Sequence, residues 1–178
     1  DNAKDVIDML KSYKIKTYMF TGDKKDVALT IGNKLSIDEI KYEMLPTDKF
    51  ENFELVSKDN KITIFVGDGI NDAPALAISD IGMAIGSGTD IAMESADIVL
   101  MKGDILHVVG AIQLSRQTMK NIKENLFWAF GYNTLGIPVA MGVLHIFGGP
   151  LLNPMIGAFA MSFSSVSVLL NALRLKKI

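Results

Sequence analysis

The sequence predicts an α/β part built on a parallel sheet, followed by a pair of apolar helices forming a transmembrane hairpin. Three observations carry that expectation. Short apolar runs alternate with amphipathic stretches over residues 1–104. The run 62–66 leads into Val66-Gly67-Asp68-Gly69-Ile70-Asn71-Asp72-Ala73-Pro74-Ala75-Leu76, a segment dense in Gly, Asp and Asn. Residues 125–173 hold no Asp, Glu, Lys or Arg, a composition foreign to a water-facing surface.

The elements follow in order. Residues 1–13 set Val6, Ile7, Met9 and Leu10 on one helix face. Residues 16–20 read as a strand, closed by Thr21-Gly22-Asp23. Helical spacing returns over 24–35 through Val27, Ala28, Ile31 and Leu35. Residues 40–45 form a weaker strand. Pro46-Thr47-Asp48-Lys49 opens a helix, with Thr47 or Asp48 as N-cap. After strand 62–66, Gly67 and Gly69 allow a tight turn, and Pro74 suits the first turn of the next helix. Residues 81–85 and 97–101 are two further strands, separated by a loop at 86–89 and a short helix near 90–94.

Composition narrows the chemistry. The 178 residues include no Cys, so disulfides and thiolate metal sites are excluded. Residues 1–124 carry all 20 acidic residues and 15 of the 18 basic ones. The chain opens on Asp1 without signal-peptide features and is expected to be a portion of something larger.

In a parallel α/β sheet, ligands bind beyond the carboxyl ends of the strands. Thr21 and Asp68 fall at that rim, and Lys49, near a helix start, can reach it. Asp68 and Asp72 can hold Mg²⁺ through oxygen ligands. Asn71 can donate to a phosphate oxygen, and Lys49 can neutralise phosphate charge. Taken singly, the two Asp can merely cap a helix, Thr21 can be an ordinary turn residue, and Lys49 a solvated lysine. Together they describe a phosphoryl-transfer pocket. A covalent route needs a nucleophile, and no Asp before Thr21 sits at a strand end. This piece is therefore not expected to turn over alone.

Residues 105–124 keep helical spacing through Val108, Val109, Ile112, Met119 and Ile122 and are read as a connecting helix. A helix packed on the sheet is the alternative. Residues 126–147 and 151–173 are 22 and 23 long, each enough to span a bilayer core of about 30 Å. Lys120 and Lys123 flank one end of this pair and Arg174, Lys176 and Lys177 the other, which puts both ends in the cytoplasm. Polar groups within such spans are costly and often functional: Tyr132, Asn133, Met161 and Ser165. A kink or opened turn is expected at Pro138. The Met161 thioether favours a soft ion such as Cu(I), while the lack of carboxylates argues against Ca²⁺ and weakens Zn²⁺. Gly157, Ala158, Ala160, Ser162 and Ser164 serve helix packing equally well, so both readings stay open.

Thr21-Gly22-Asp23, Pro46-x-x-Lys49 and Gly67-Asp68-Gly69-x-Asn71-Asp72-x-Pro74 resemble the later motifs of the phosphorylation domain of P-type ATPases, a haloacid-dehalogenase-like fold. Residues 125–130 with Tyr132-Asn133, then Met161 and Ser165 before Leu170-Asn171-Ala172-Leu173, are similar to the last two helices of the Cu(I)-transporting subgroup. The Lys and Asp usual in the zinc/cadmium subgroup are absent, as are the family's nucleophilic Asp and Cys-Pro-Cys.

The resemblance implies that Thr21, Gly22, Asn71 and Lys49 contact an aspartyl phosphate. It implies that Asp68 ligates Mg²⁺ with Asp72 beside it, and that Asp23 faces the nucleotide. Tyr132, Asn133, Met161 and Ser165 match Cu(I) ligands or pathway residues. The implied activity is ATP-driven Cu(I) export. The alternatives are Ag(I) or Zn/Cd transport, or a haloacid-dehalogenase-like phosphatase. The expected partners are membrane lipid, the remaining domains of the pump (nucleotide-binding, actuator, earlier transmembrane helices) and a copper chaperone, with no nucleic acid. The expected location is the cell membrane, multi-pass, with residues 1–124 and the C-terminus cytoplasmic.

Overall fold

The computed structural model describes residues 2–59, 62–68, 70–86, 94–149 and 154–177. Contacts divide the chain into two units, Asp1–Ala111 and Ile112–Ile178.

In the first unit, α1 (Ala3–Ser12), β1 (Tyr18–Phe20), α2 (Lys25–Leu35), β2 (Glu39–Lys41) and α3 (Pro46–Asp59) alternate. Then come β3 (Ile64–Gly67), a 3-10 turn (Ile70–Asp72), α4 (Ala73–Ile78), β4 (Ile81–Ile85) and β5 (Ile98–Leu100). Every pairing is parallel, as the alternation requires. The strands form two sheets rather than the single one expected: β1–β2 and β3–β4–β5. One edge of β1 and one edge of β3 have no partner strand among the described residues.

A common core joins the two sheets. Phe53, Phe65, Ala75 and Leu76 are buried together, with Phe20 and Ala96 packed against them. The Phe53 and Phe65 rings meet edge-on, their centroids 5.0 Å apart, a favoured aromatic arrangement. Phe20 closes β1 and Phe65 lies within β3, so apolar packing does what ladder bonds do not.

Carboxylates fasten the starts of the strands. Asp38 Oδ2 accepts from the Thr17 N–H at 2.8 Å and the Thr17 hydroxyl at 2.7 Å. Asp80 Oδ2 accepts from the Thr63 N–H at 2.7 Å and the Thr63 hydroxyl at 2.8 Å. Asp97 Oδ2 takes the Gly82 N–H at 2.8 Å. These bonds shorten the expected strands. The Thr17 and Thr63 N–H groups turn to a carboxylate, so β1 and β3 begin at Tyr18 and Ile64. The expected strand 40–45 stops at Lys41, because Glu43 adopts φ 55° and Met44 N–H turns back to the Thr21 carbonyl. The expected helix near 90–94 lies almost wholly outside the described residues.

The long helix α5 (Leu106–Ala140) runs on into the second unit, which continues with α6 (Val143–Ile146) and α7 (Pro154–Leu173). The hairpin expectation needs correction. Among the described residues no helix is long and apolar enough to cross a membrane. Residues 105–124 and the start of 126–147 are one helix, since no breaker separates them. That helix passes Pro138 and ends at Ala140, where Gly142 takes φ 86°, so 126–147 is not one uninterrupted span. Residues 150–153 lie outside the described set, which leaves the expected start of the second span undescribed.

Candidate phosphoryl-binding site

The rim beyond the sheets is built by three short segments. Thr21 follows β1; its N–H donates to the Lys41 carbonyl at 3.0 Å, which extends the β1–β2 pairing by one step. The chain then turns. The Thr21 hydroxyl donates to Asp23 Oδ2 at 2.8 Å and accepts from the Asp23 N–H at 3.1 Å. Gly22 sits where a Cβ would lie 3.3 Å from the Met44 carbonyl oxygen. Glu43 N–H donates to the Asp23 carbonyl at 2.9 Å. Thr21 and Asp23 are therefore held as one loop, with Asp23 exposed.

Lys49 lies in the first turn of α3. The cap of that helix differs from expectation. Asp48 Oδ2 reaches back to the Leu45 N–H at 2.8 Å, the return half of a capping box, with Pro46 opening the helix. This cap aims the start of α3 at the turn after β3. Lys49 Nζ there meets Asp72 Oδ1 at 3.0 Å, with the side chains 21% and 11% exposed.

Asp72 ends the 3-10 turn and is 8% exposed. Its carboxylate makes no cap bond to α4 and is taken by Lys49 instead. Gly67 makes room for it: a Cβ on Gly67 would stand 2.7 Å from Asp72 Cβ and 2.9 Å from Asp72 Oδ2. Asp68 and Asn71 are exposed on the same turn. The structure thus joins Lys49 to Asp72 and Thr21 to Asp23.

The donor set fits a hard cation. Asp68 presents an exposed carboxylate beside a buried one, and Mg²⁺ is commonly held by one or two carboxylates with substrate phosphate and water completing the shell. Among the described residues no group of three or more His, Asp or Glu is placed to hold a metal ion.

In the second unit, Tyr132, Asn133 and Ser165 are exposed. Asn133 Nδ2 donates to its own helix at the Ala129 carbonyl, 2.8 Å away, and the Tyr132 ring lies 6.1 Å from Trp128. Met161 belongs to α7, and its side chain is outside the described set.

Sequence reasoning missed two groups. One is Gly67 as the spacer for Asp72. The other is the set of amides Asn121, Asn125 and Asn171, hydrogen-bonded to one another across α5 and α7. Three Asn near the ends of a charge-free stretch were the available signal.

Residues 1–80 match the haloacid dehalogenase-like hydrolase family. The chain is 51% identical over 179 residues to a copper-exporting P-type ATPase of Bacillus subtilis, covering all of this chain and 21% of that protein. It is 47% identical over 174 residues to a silver exporting P-type ATPase of Salmonella typhimurium, covering 98% of this chain and 21% of that one. The chain is a relative of the heavy-metal P-type ATPases. It spans about a fifth of the length of the curated relatives it matches. The solved structure of a zinc-transporting PIB-type ATPase in its E2.Pi state superposes with a TM-score of 0.79 at 33% identity, covering 98% of this chain and 27% of that one. The first unit has the haloacid-dehalogenase-like, Rossmann-type parallel fold.

Proposed function

We propose that this chain is part of an ATP-driven Cu(I)-exporting P-type ATPase, contributing the later portion of its phosphorylation domain and the helical segment that follows it. The observation that carries the reading is the Lys49–Asp72 pair, 3.0 Å apart on the turn that also presents Asp68 and Asn71. The identity of about half to copper exporters supports it.

In this reading residues 1–104 are phosphorylation domain, 105–124 a connecting helix and 125–178 the membrane part. The nucleophilic aspartate comes from a segment outside this chain. Lys49 supplies positive charge, while Thr21, Gly22 and Asn71 offer hydroxyl, N–H and amide donors to the phosphoryl oxygens. Asp68 holds Mg²⁺ and Asp72 fixes Lys49 beside it. When bound, Mg²⁺ neutralises charge on those oxygens. Asp23 faces the nucleotide.

Cu(I) is the cargo, met by Tyr132, Asn133, Met161 and Ser165. Copper is favoured over zinc because residues 125–173 carry no charged side chain. The same donors suit Ag(I). Exposed apolar side chains such as Phe127 at 69% and Phe147 at 85% support burial of the second unit among lipid and the pump's other helices in the cell membrane. A copper chaperone would deliver the ion.

In the intact transporter, Asp68→Ala is expected to abolish phosphoenzyme formation from ATP; normal labelling would refute the Mg²⁺ role. Met161→Ala is expected to weaken copper-stimulated ATPase activity. Stimulation by zinc but not copper would overturn the ion assignment.

A further inference from the structure

We propose that Asn121, Asn125 and Asn171 form an amide clasp that sets the register of α5 against α7, and so fixes the level of the ion-path residues. Asn121 Nδ2 donates to the Asn171 backbone carbonyl at 2.7 Å. Asn171 Nδ2 donates to Asn125 Oδ1 at 3.0 Å. Asn125 Nδ2 donates to Asn121 Oδ1 at 3.0 Å. The bonds return to the residue they started from. Arg174 Nη1 adds a longer contact of 3.5 Å to Asn171 Oδ1.

Amide side chains suit this ring because each carries both donor and acceptor, whereas carboxylates would repel one another and ammonium groups could not accept; the Asn171 backbone carbonyl supplies the remaining acceptor. Asn121 is 8% exposed, and a withdrawn amide is costly unless bonded. That cost penalises any slip of one helix past the other, which is how a lone Asn fixes register in coiled coils. The neighbouring apolar side chains give no comparable discrimination: Leu126, Phe127, Leu169 and Leu170 are all exposed.

The chain leaves the clasp along α5 and returns to it along α7. Tyr132 and Asn133 lie about 11–12 Å beyond Asn125, at ~1.5 Å per residue. Ser165 and Met161 lie about 9 and 15 Å before Asn171. With the clasp closed, the two pairs share a level. The clasp stands independently of transport; its bearing on the ion path rests on the function proposed above.

Because the chain has no Cys, an introduced pair reports alone. In phosphatidylcholine vesicles, Ala129→Cys with Ser167→Cys, each one turn from the clasp, is expected to form a disulfide readily. Adding Asn171→Ala should slow that reaction about fivefold, with helix content by circular dichroism unchanged. Equal rates with and without Asn171→Ala overturn the clasp. Should Asn171→Ala lower helix content, Asn125→Ala in the same cysteine background decides by the same comparison. In the intact transporter, Asn171→Ala is expected to raise the KM for Cu(I) about fivefold while kcat stays within about twofold. An unchanged KM overturns the positioning role. A protein that copper does not stimulate at all overturns the proposed function instead, and leaves the cross-linking result standing.

Discussion

Lys49 Nζ stands 3.0 Å from Asp72 Oδ1 across 23 residues of chain, and both side chains are largely withdrawn from water. This one ion pair ties the start of α3 to the turn after β3. Withdrawing one partner strands the other in a poorly solvated place. Lys49→Met is expected to destabilise the chain by about 2 kcal/mol, while Asp72→Asn, which can still accept from Lys49, costs less. Urea unfolding of the two variants beside the parent checks the order; an Asp72→Asn loss larger than that of Lys49→Met would contradict it.

Gly67 is where a single methyl should matter. Its Cβ would stand 2.7 Å from Asp72 Cβ, so Gly67→Ala must displace Asp72 or the strand end. A loss of about 1–3 kcal/mol is expected, the usual range for overpacking. In the intact transporter the same substitution should depress phosphoenzyme formation. A variant as stable and as readily phosphorylated as the parent would show that the turn yields freely.

The Asp38 and Asp80 clips predict an acid sensitivity. The Thr17 hydroxyl and N–H hold the Asp38 carboxyl below the usual carboxylate range, and the Thr63 N–H and hydroxyl do the same for Asp80. A folded pKa below the unfolded one means the unfolded chain binds protons first. The stabilisation is therefore complete above the unfolded value of about 4, and is lost as pH falls through the lowered folded values. Urea midpoints at pH 7 and pH 3 should differ less in Asp38→Asn with Asp80→Asn than in the parent. Equal pH dependence would remove these clips from the acid response.

Phe53 carries the packing between helix and sheet. It is 4% exposed and meets Phe65 edge-on at 5.0 Å. Phe53→Ala should cost about 3–5 kcal/mol, and Phe53→Leu distinctly less. Thermal unfolding of the two variants reads the difference.

Much of this architecture was legible from residue spacing, and what was not has identifiable causes. Period and punctuation marked every described strand and helix of the first unit, because Gly, Pro and Asp stand where the chain turns. Thr21 and Asp68 were legible as residues just past strand ends, because each follows an apolar run and adjoins a Gly. The pairing of Lys49 with Asp72 was not, since it depends on how α3 is capped through Asp48. Strand ends were misjudged at Thr17 and Thr63, where a side-chain carboxylate competes with the ladder for a backbone N–H. The single-sheet expectation failed because alternation fixes parallel direction but not which strands are neighbours. In the second unit a charge-free run was easy to see. The break at Gly142 was not, because it turns on one backbone angle rather than on hydropathy.

The sides of β1 and β3 that no strand among the described residues covers have a practical consequence. Each displays main-chain donors and acceptors in extended form, the template through which one polypeptide recruits another. A synthetic parallel segment of matching length could dock there and raise the melting temperature. Without such a guest, concentrated samples of the isolated 178-residue chain should stitch together edge to edge.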